Sequence, residues 1–471
     1  MKINLSSIAR IYFCTGARNH ELLQCFDKDK VHFEFDERMA SFKALGFAKG
    51  SKSPVVVCTT SGTAVSECLS AMLEALYSKH PLILITGDRP KKQHGTGAPQ
   101  TIDHATLSNG ARGSYYEISL DELKDLELHD PIFPVHINVL VDDTKEHQGI
   151  VFQAPGLIEF DHFLKKHKRP LFLFSHAEDS MRELIERFAE LNIPFYAESM
   201  SGGRDLSVIK NEKELLSLFK QDAFDSVIRI GFTPLTKVWR LLESKFLPVA
   251  SFDSRRLPAL SYGEVYDFSA KALLASHDWW EALKSVKFTL PTRPEANQLE
   301  QLAAKYPKAE ISTFLRLQQN LPENALVYLG NSLIIRHFEL TQTKKLRVHG
   351  NRGVNGIDGQ LATAIGLASS TQETVYCILG DITTLYDLSS LREMPTNLRL
   401  IIINNKGGRI FDMLKLDKRI VLEHEFVFKD LCQGMHVSYA MDDWSKFNQV
   451  QVLELLPSIE ESESFLKEWS N

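Results

Sequence analysis

"VYCILGDITTLYDLSSLREMPTNLRLIIINNKGG", residues 375–408, holds two apolar runs that stop abruptly at polar residues. Both runs are short and rich in Val, Ile and Leu, so each reads as a strand buried on both faces. The first ends in Gly380-Asp381. The second ends in Asn404-Asn405, with Gly407-Gly408 close behind. Ligands of open parallel sheets bind beyond the carboxyl ends of the strands. An acid and an amide at two such ends therefore mark the place to look for chemistry.

The same alternation of strand and helix runs outward through the chain. "RIYFCTG", "VHFEF", "PVVVCTT" and "PLILITGD" read as strands in the first third, separated by helices in "DERMASFKALGFAKG" and "SGTAVSECLSAMLEALYSKH". In the first helix Met39, Phe42 and Leu45 recur at three-residue spacing, close to a helical period. "PLFLFSH", "PFYAES", "SVIRIG" and "LPVASFD" form a second set, and "ALVYLG", "LRVHGN", "TVYCILGD" and "LRLIIINN" a third. Charged, aperiodic sequence at 141–155 and 161–170 reads as a linker, and the prolines at 290–298 mark another boundary. The expected architecture is α/β: three doubly wound parallel-sheet domains over 1–160, 161–292 and 293–471.

Composition bounds the function. The 471 residues are 44% apolar and 24% charged, with a net charge of −6. That is ordinary for a globular chain and gives no electrostatic drive toward nucleic acid or anionic membranes. No apolar run approaches the 20 or so residues of a membrane span. The six cysteines contain no C-x-x-C pair and lie partly in strand-like runs, which fits buried free thiols in a reducing compartment. The expected location is the cytoplasm.

Asp381, the Asn405 amide oxygen and a backbone carbonyl make a hard oxygen set of the kind Mg²⁺ shares with phosphates. A helix beginning near "GGRIFDML" would turn its N-terminus toward the same anion. Mg²⁺-diphosphate is a coherent occupant. Asp and Asn after strands are also common turn formers and helix caps, and spacing alone leaves both readings open.

"GD" followed some two dozen residues later by "NN" resembles the cofactor motif of thiamine-diphosphate enzymes. The longer string "GNSLIIRHFEL…HGNRGVNGIDGQLATAIGLAS…LGDITTLYDL…NNKGGRIF" resembles one family among them. That family is the menaquinone-pathway synthase of 2-succinyl-5-enolpyruvyl-6-hydroxy-3-cyclohexene-1-carboxylate (SEPHCHC). It also lacks the usual glycine after Asp, where this chain has Ile382. "FDERMASFKALGFAKG", "TSGTAVSECLSAMLEA", "LILITGDRP" and "GTGAPQTID" match the same family, and "AESMSGG", "VIRIGFTPLTKVW" and "SFDSRRL" do so more faintly.

The resemblance implies roles. Glu37 would activate thiamine diphosphate through its aminopyrimidine ring, a task that suits an acid in an apolar setting; read without the family, it merely starts a helix where acids suit the dipole. Asp381, Asn405 and the Gly407 carbonyl would hold Mg²⁺, with Mn²⁺ able to replace it. Ile410 and Phe411 would wall the reacting carbon, against a bland alternative of helix packing, and Ile357 would line the site. Arg18, Arg89, Arg336 and Arg352 would bind substrate carboxylates, for which the planar arginine fork is suited. Gln100 and Ser332 would add polar contacts, and Arg256 is a looser match. The implied reaction decarboxylates 2-oxoglutarate on the cofactor and adds the succinyl-semialdehyde carbanion to isochorismate, as a decarboxylating carbon–carbon transferase. In this superfamily the first and third domains of different subunits share a site, so a homodimer or homotetramer is implied.

The chain departs from the family at Ala17, where a serine is usual, at Pro99, where an asparagine is usual, and at Lys406. These departures put the acceptor in question. The alternatives are a thiamine-diphosphate decarboxylase or carboligase with another acceptor, a non-catalytic homologue, and a nicotinamide or flavin oxidoreductase. Retention of Glu37, Asp381 and Asn405 counts against the second, and the lack of any G-x-G-x-x-G after a strand counts against the third.

Overall fold

Runs of β-branched and leucine residues with no polar side form strands that need cover on both faces. The computed structural model gathers them into three all-parallel sheets. It describes residues 2–141, 157–177, 181–245, 247–253, 263–266, 270–284, 286, 288–291, 298–413 and 417–470. The chain divides into two compact units. One comprises 1–147 with the short pieces 353–358 and 406–426, and the other 148–352, 359–405 and 427–471.

The first unit holds a six-stranded sheet in the spatial order Val31–Glu34, Arg10–Cys14, Val55–Thr60, Leu82–Asp88, Val135–Leu140, Ser114–Ser119. Numbered by chain position, that order is 2-1-3-4-6-5. The central strands Val55–Thr60 and Leu82–Asp88 are buried along their whole length. Helices Glu37–Ser51 and Thr63–Ser78 cover one face. The first of these buries Ala40, Ala44, Leu45 and Ala48, while Met39 and Phe42 face outward. The helix is where the sequence puts it, but small alanines make its packed face because the sheet approaches closely there.

The second unit contains two sheets. A five-stranded one runs Phe195–Ala197, Pro170–Phe174, Ser226–Ile230, Val249–Phe252, Gly263–Tyr266. Its core is aromatic, with Phe160 stacked on Trp279 at 4.7 Å and Phe188 edge-on to Phe174 at 5.0 Å. The six-stranded sheet runs Arg347–His349, Leu326–Leu329, Val375–Gly380, Leu398–Ile403, Val452–Leu455, Tyr439–Met441. By chain position this order is again 2-1-3-4-6-5. Buried Glu339 joins the two sheets, accepting from Tyr196 Oη at 2.7 Å and from the Ser199 N–H at 2.5 Å.

One sequence expectation needs correction. Part of the supposed linker at 161–170 lies in a helix, Leu157–Lys166, whose Phe160, Phe163 and Leu164 pack into the aromatic core. Lys165 and Lys166 at its end are exposed. The helix expected at "GGRIFDML" is present from Ile410 and is described as far as Met413. All six cysteines are free and five are buried, as their spacing predicts. No helix among the described residues is long and apolar enough to cross a membrane.

Candidate active site

In the first unit, the strand order reverses between Arg10–Cys14 and Val55–Thr60, which opens a crevice at their carboxyl ends. Arg18 follows the first of these strands and Ser61 the second. Arg89 follows Leu82–Asp88. Arg18 donates to the Gln100 Oε1 at 2.6 Å, to the Pro99 carbonyl at 3.1 Å and to Ser61 Oγ at 3.5 Å. Arg89 donates to the same Pro99 carbonyl at 3.0 Å and to Gln93 Oε1 at 2.8 Å. Two guanidiniums thus converge on one main-chain oxygen. Gln100 is held in the left-handed region, at φ +60°. Three of the substrate residues named from sequence therefore form one cluster, and Gln93 joins it.

Glu37 opens the helix Glu37–Ser51, whose cap Asp36 accepts the Met39 N–H at 2.8 Å. Its side chain is buried and accepts from Thr59 Oγ1 at 3.2 Å. Cys68 Sγ lies 3.8 Å from the Glu37 carbonyl. Burial, and then the Glu37 charge, pushes the thiols of Cys14 and Cys68 well up. They stay neutral, so the acid sits in the apolar setting its proposed task requires.

Behind the arginines lies a buried polar network that sequence reading missed. Asp88 meets His104 Nδ1 at 3.1 Å, Asn138 Nδ2 at 3.1 Å, His94 Nε2 at 3.3 Å and the Arg89 N–H at 2.7 Å. Burial alone would raise its pKa, but the hydrogen bonds from His104 and His94 hold it well below the usual carboxylate range. The Gly62 N–H donates to His104 Nε2 at 3.3 Å, while His104 Nδ1 faces both the Asn138 Oδ1 at 2.9 Å and Asp88. The hydrogen bond to Asp88 raises the His94 pKa above its ordinary 6.5.

That shift predicts a pH dependence. A raised histidine value stabilises the fold fully below about pH 6.5, and the contribution is lost as pH rises through the folded value. A depressed Asp88 stabilises above its ordinary 3.8, and is lost as pH falls through the folded value. The stability gap between the parent and His94→Phe, measured by urea unfolding, is expected to be wider at about pH 5.5 than at about pH 8.5. Equal gaps would refute the pairing.

In the second unit, Asp381 and Asn405 stand at the ends of neighbouring strands, where Gly380 pairs with Ile403. Asp381 is buried and accepts the Ile382 N–H at 2.7 Å. Asn405 donates through Nδ2 to Glu310 Oε2 at 2.9 Å. Asn404 turns instead to Glu454, at 2.5 Å. A carboxyl group and an amide whose NH₂ is already engaged offer a hard oxygen pair of the kind suited to Mg²⁺. Gly407, two residues further along the chain, is at φ +139°, and a Cβ there would lie 2.7 Å from the Val421 carbonyl. Only glycine fits that path.

Two more arginines belong to this unit. Arg352 donates to Asn331 Oδ1 at 2.7 Å, and Arg336 to the Ser332 carbonyl at 2.5 Å. Burial, and then the charge of Arg336, lowers the Arg352 pKa, with Glu198 opposing. Ser332 is itself strained, at φ +66°.

Ile357, Gly407, Ile410 and Phe411 fall in the first unit by their contacts. Phe411 packs against that unit's apolar core, beside Ile420, which gives it the bland role of packing as well as any other. Arg256 lies outside the described residues. Glu310, Glu454, Asp88 and His104 were not legible in sequence; only the doubled asparagine hinted that two partners were needed.

A family model described as "Thiamine pyrophosphate enzyme, N-terminal TPP binding domain" matches residues 5–107. The chain is similar along its length to proteins named 2-succinyl-5-enolpyruvyl-6-hydroxy-3-cyclohexene-1-carboxylate synthase. One from Bdellovibrio bacteriovorus is 32% identical, covering 98% of this chain and 96% of that one. Another from Desulfotalea psychrophila is 31% identical over 85% of this chain and 83% of its own. A third, from Akkermansia muciniphila, is 28% identical over 98% of this chain and 95% of its own.

Proposed function

Because the chain belongs to the 2-succinyl-5-enolpyruvyl-6-hydroxy-3-cyclohexene-1-carboxylate synthase family of thiamine-diphosphate enzymes, we propose that it is an active synthase of menaquinone biosynthesis. It takes 2-oxoglutarate and isochorismate as substrates, releases CO₂ and forms a carbon–carbon bond, which makes it a transferase. The observation that carries this reading is the convergence of Arg18 and Arg89 on the Pro99 carbonyl, beside Gln100. A simple decarboxylase of a mono-acid has little use for paired guanidiniums, whereas these two substrates bring four carboxylates between them.

When bound, thiamine diphosphate supplies a nucleophilic carbon and an electron sink for decarboxylation. Asp381, Asn405 and the Gly407 carbonyl would hold the Mg²⁺ that anchors its diphosphate. Glu37 would hold a proton at its carboxylate against the aminopyrimidine ring, in a pocket kept apolar by Cys14 and Cys68. Arg18, Arg89, Arg336 and Arg352 would bind substrate carboxylates, with Gln100, Ser332, Ile357 and Ile410 as further contacts. The three domains over 1–160, 161–292 and 293–471, a homodimer or homotetramer, and a cytoplasmic location are part of the same proposal.

The test is CO₂ release from 2-oxoglutarate with thiamine diphosphate and Mg²⁺, with and without isochorismate, and identification of the adduct by mass. A succinyl adduct of isochorismate is expected. CO₂ release with isochorismate untouched would keep the cofactor site and replace the acceptor, as Pro99 and Ala17 would allow. With the adduct formed, Arg352→Ala is expected to raise a substrate KM by roughly 10- to 100-fold, the loss of a charged hydrogen bond of about 1.5–3 kcal/mol. An unchanged KM for both substrates would remove Arg352 from the site.

A further inference from the structure

An asparagine amide offers an oxygen on one side and an NH₂ on the other, and only the oxygen can hold Mg²⁺. Something must decide which side is presented. Glu310 opens the helix Glu310–Asn320 and is buried. Its Oε2 takes the Asn405 Nδ2–H at 2.9 Å. Nδ2 is the donor and Glu310 Oε2 the acceptor, so the NH₂ is held on Glu310 and the Asn405 oxygen is turned away from it. Glu310 is in turn pinned from two other sides. His337 Nδ1 lies 3.1 Å from its Oε1, and its own N–H donates to Ser462 Oγ at 2.9 Å.

The strand end beneath is just as firmly set. Asn404 is held by Glu454, which also accepts the Phe428 N–H at 3.0 Å and Tyr439 Oη at 2.6 Å. Two adjacent amides are thus fixed by two different buried carboxylates. Asn404 takes its hold from Glu454 and the Asn405 amide takes its own from Glu310.

We propose that Glu310 is a positioning residue for the metal: it locks the Asn405 amide with its oxygen presented for Mg²⁺, and His337 holds Glu310 in place to do so. The inference rests on the reading of Asn405 as a metal ligand. It assigns Glu310 no contact with cofactor or substrate.

The experiment is calorimetric titration of Mg²⁺ into the full chain with saturating thiamine diphosphate, beside the unfolding midpoint of the metal-free protein. Glu310→Leu is expected to weaken Mg²⁺ binding by roughly 10- to 100-fold, the usual cost of losing a group that orients a ligand. A lowered midpoint with unchanged Mg²⁺ affinity would show a merely structural role and overturn the proposal. Asn405→Ala separates the two ideas. If it weakens Mg²⁺ binding while Glu310→Leu does not, only the positioning role falls; if it leaves the affinity unchanged, the metal reading falls with it.

A second comparison covers the case in which Glu310→Leu does not fold. Asn405→Asp sets two carboxylates face to face, so it is expected to bind Mg²⁺ poorly beside Glu310 and better when combined with Glu310→Gln. Equal affinity in the two backgrounds would overturn the proposal.

Discussion

Glu37→Gln is expected to lower kcat by roughly 10²- to 10⁴-fold, the range lost with a proton-handling group, while the protein folds as before. Glutamine keeps the shape of the side chain and an oxygen to accept from Thr59 Oγ1, as Glu37 does at 3.2 Å. What it cannot do is share a proton with a ring nitrogen. The Cys14 and Cys68 thiols around it are neutral and held well above their ordinary values, so they are poor substitutes for a carboxyl group. Substrate KM values and the thermal midpoint should stay near those of the parent, because the Arg18 and Arg89 cluster is built on other strand ends. Steady-state CO₂ release and a thermal melt on one preparation decide the matter. Normal turnover would sink the activation role.

The second large effect is at Asp381. Removing the one formal negative charge that this chain is proposed to place on Mg²⁺ should abolish cofactor binding rather than slow a step. In the parent, thiamine diphosphate and Mg²⁺ at about 100 times their dissociation constant stabilise the fold by about 2.7 kcal/mol through mass action. Asp381→Ala should show no such gain at the same concentrations, and its melting curves with and without the ligands should superimpose. A full ligand-induced shift in this variant would move the metal site elsewhere.

The contrast between legible and illegible features is physical. Strands such as "PVVVCTT" and "LRLIIINN" were readable because a strand covered on both faces is apolar at every position. The edge strands Ser114–Ser119 and Tyr439–Met441 were not, since an edge tolerates polar residues on its open side; the first reads Ser-Tyr-Tyr-Glu-Ile-Ser. In the helix Glu37–Ser51, the large apolar residues Met39 and Phe42 draw the eye, yet alanines do the packing. Glu37, Asp381 and Asn405 were findable because they lie within short stretches of a known pattern. Glu310 stands 95 residues from Asn405 in an ordinary amphipathic helix. No periodicity or spacing could tie an acid there to an amide that far along the chain.

The repeated strand order has a consequence for how such a protein changes over time. Two sheets with the same 2-1-3-4-6-5 arrangement expose the same set of loop roots at one edge, while their interiors accept little substitution. Novelty can therefore accumulate at the rims with the scaffold untouched, as a workbench keeps its frame while its fittings are swapped. Pro99 is one such fitting: it holds both arginines through its carbonyl, which any residue would supply. Other residue types can supply the same carbonyl, so this rim position can change while both arginines keep their hold.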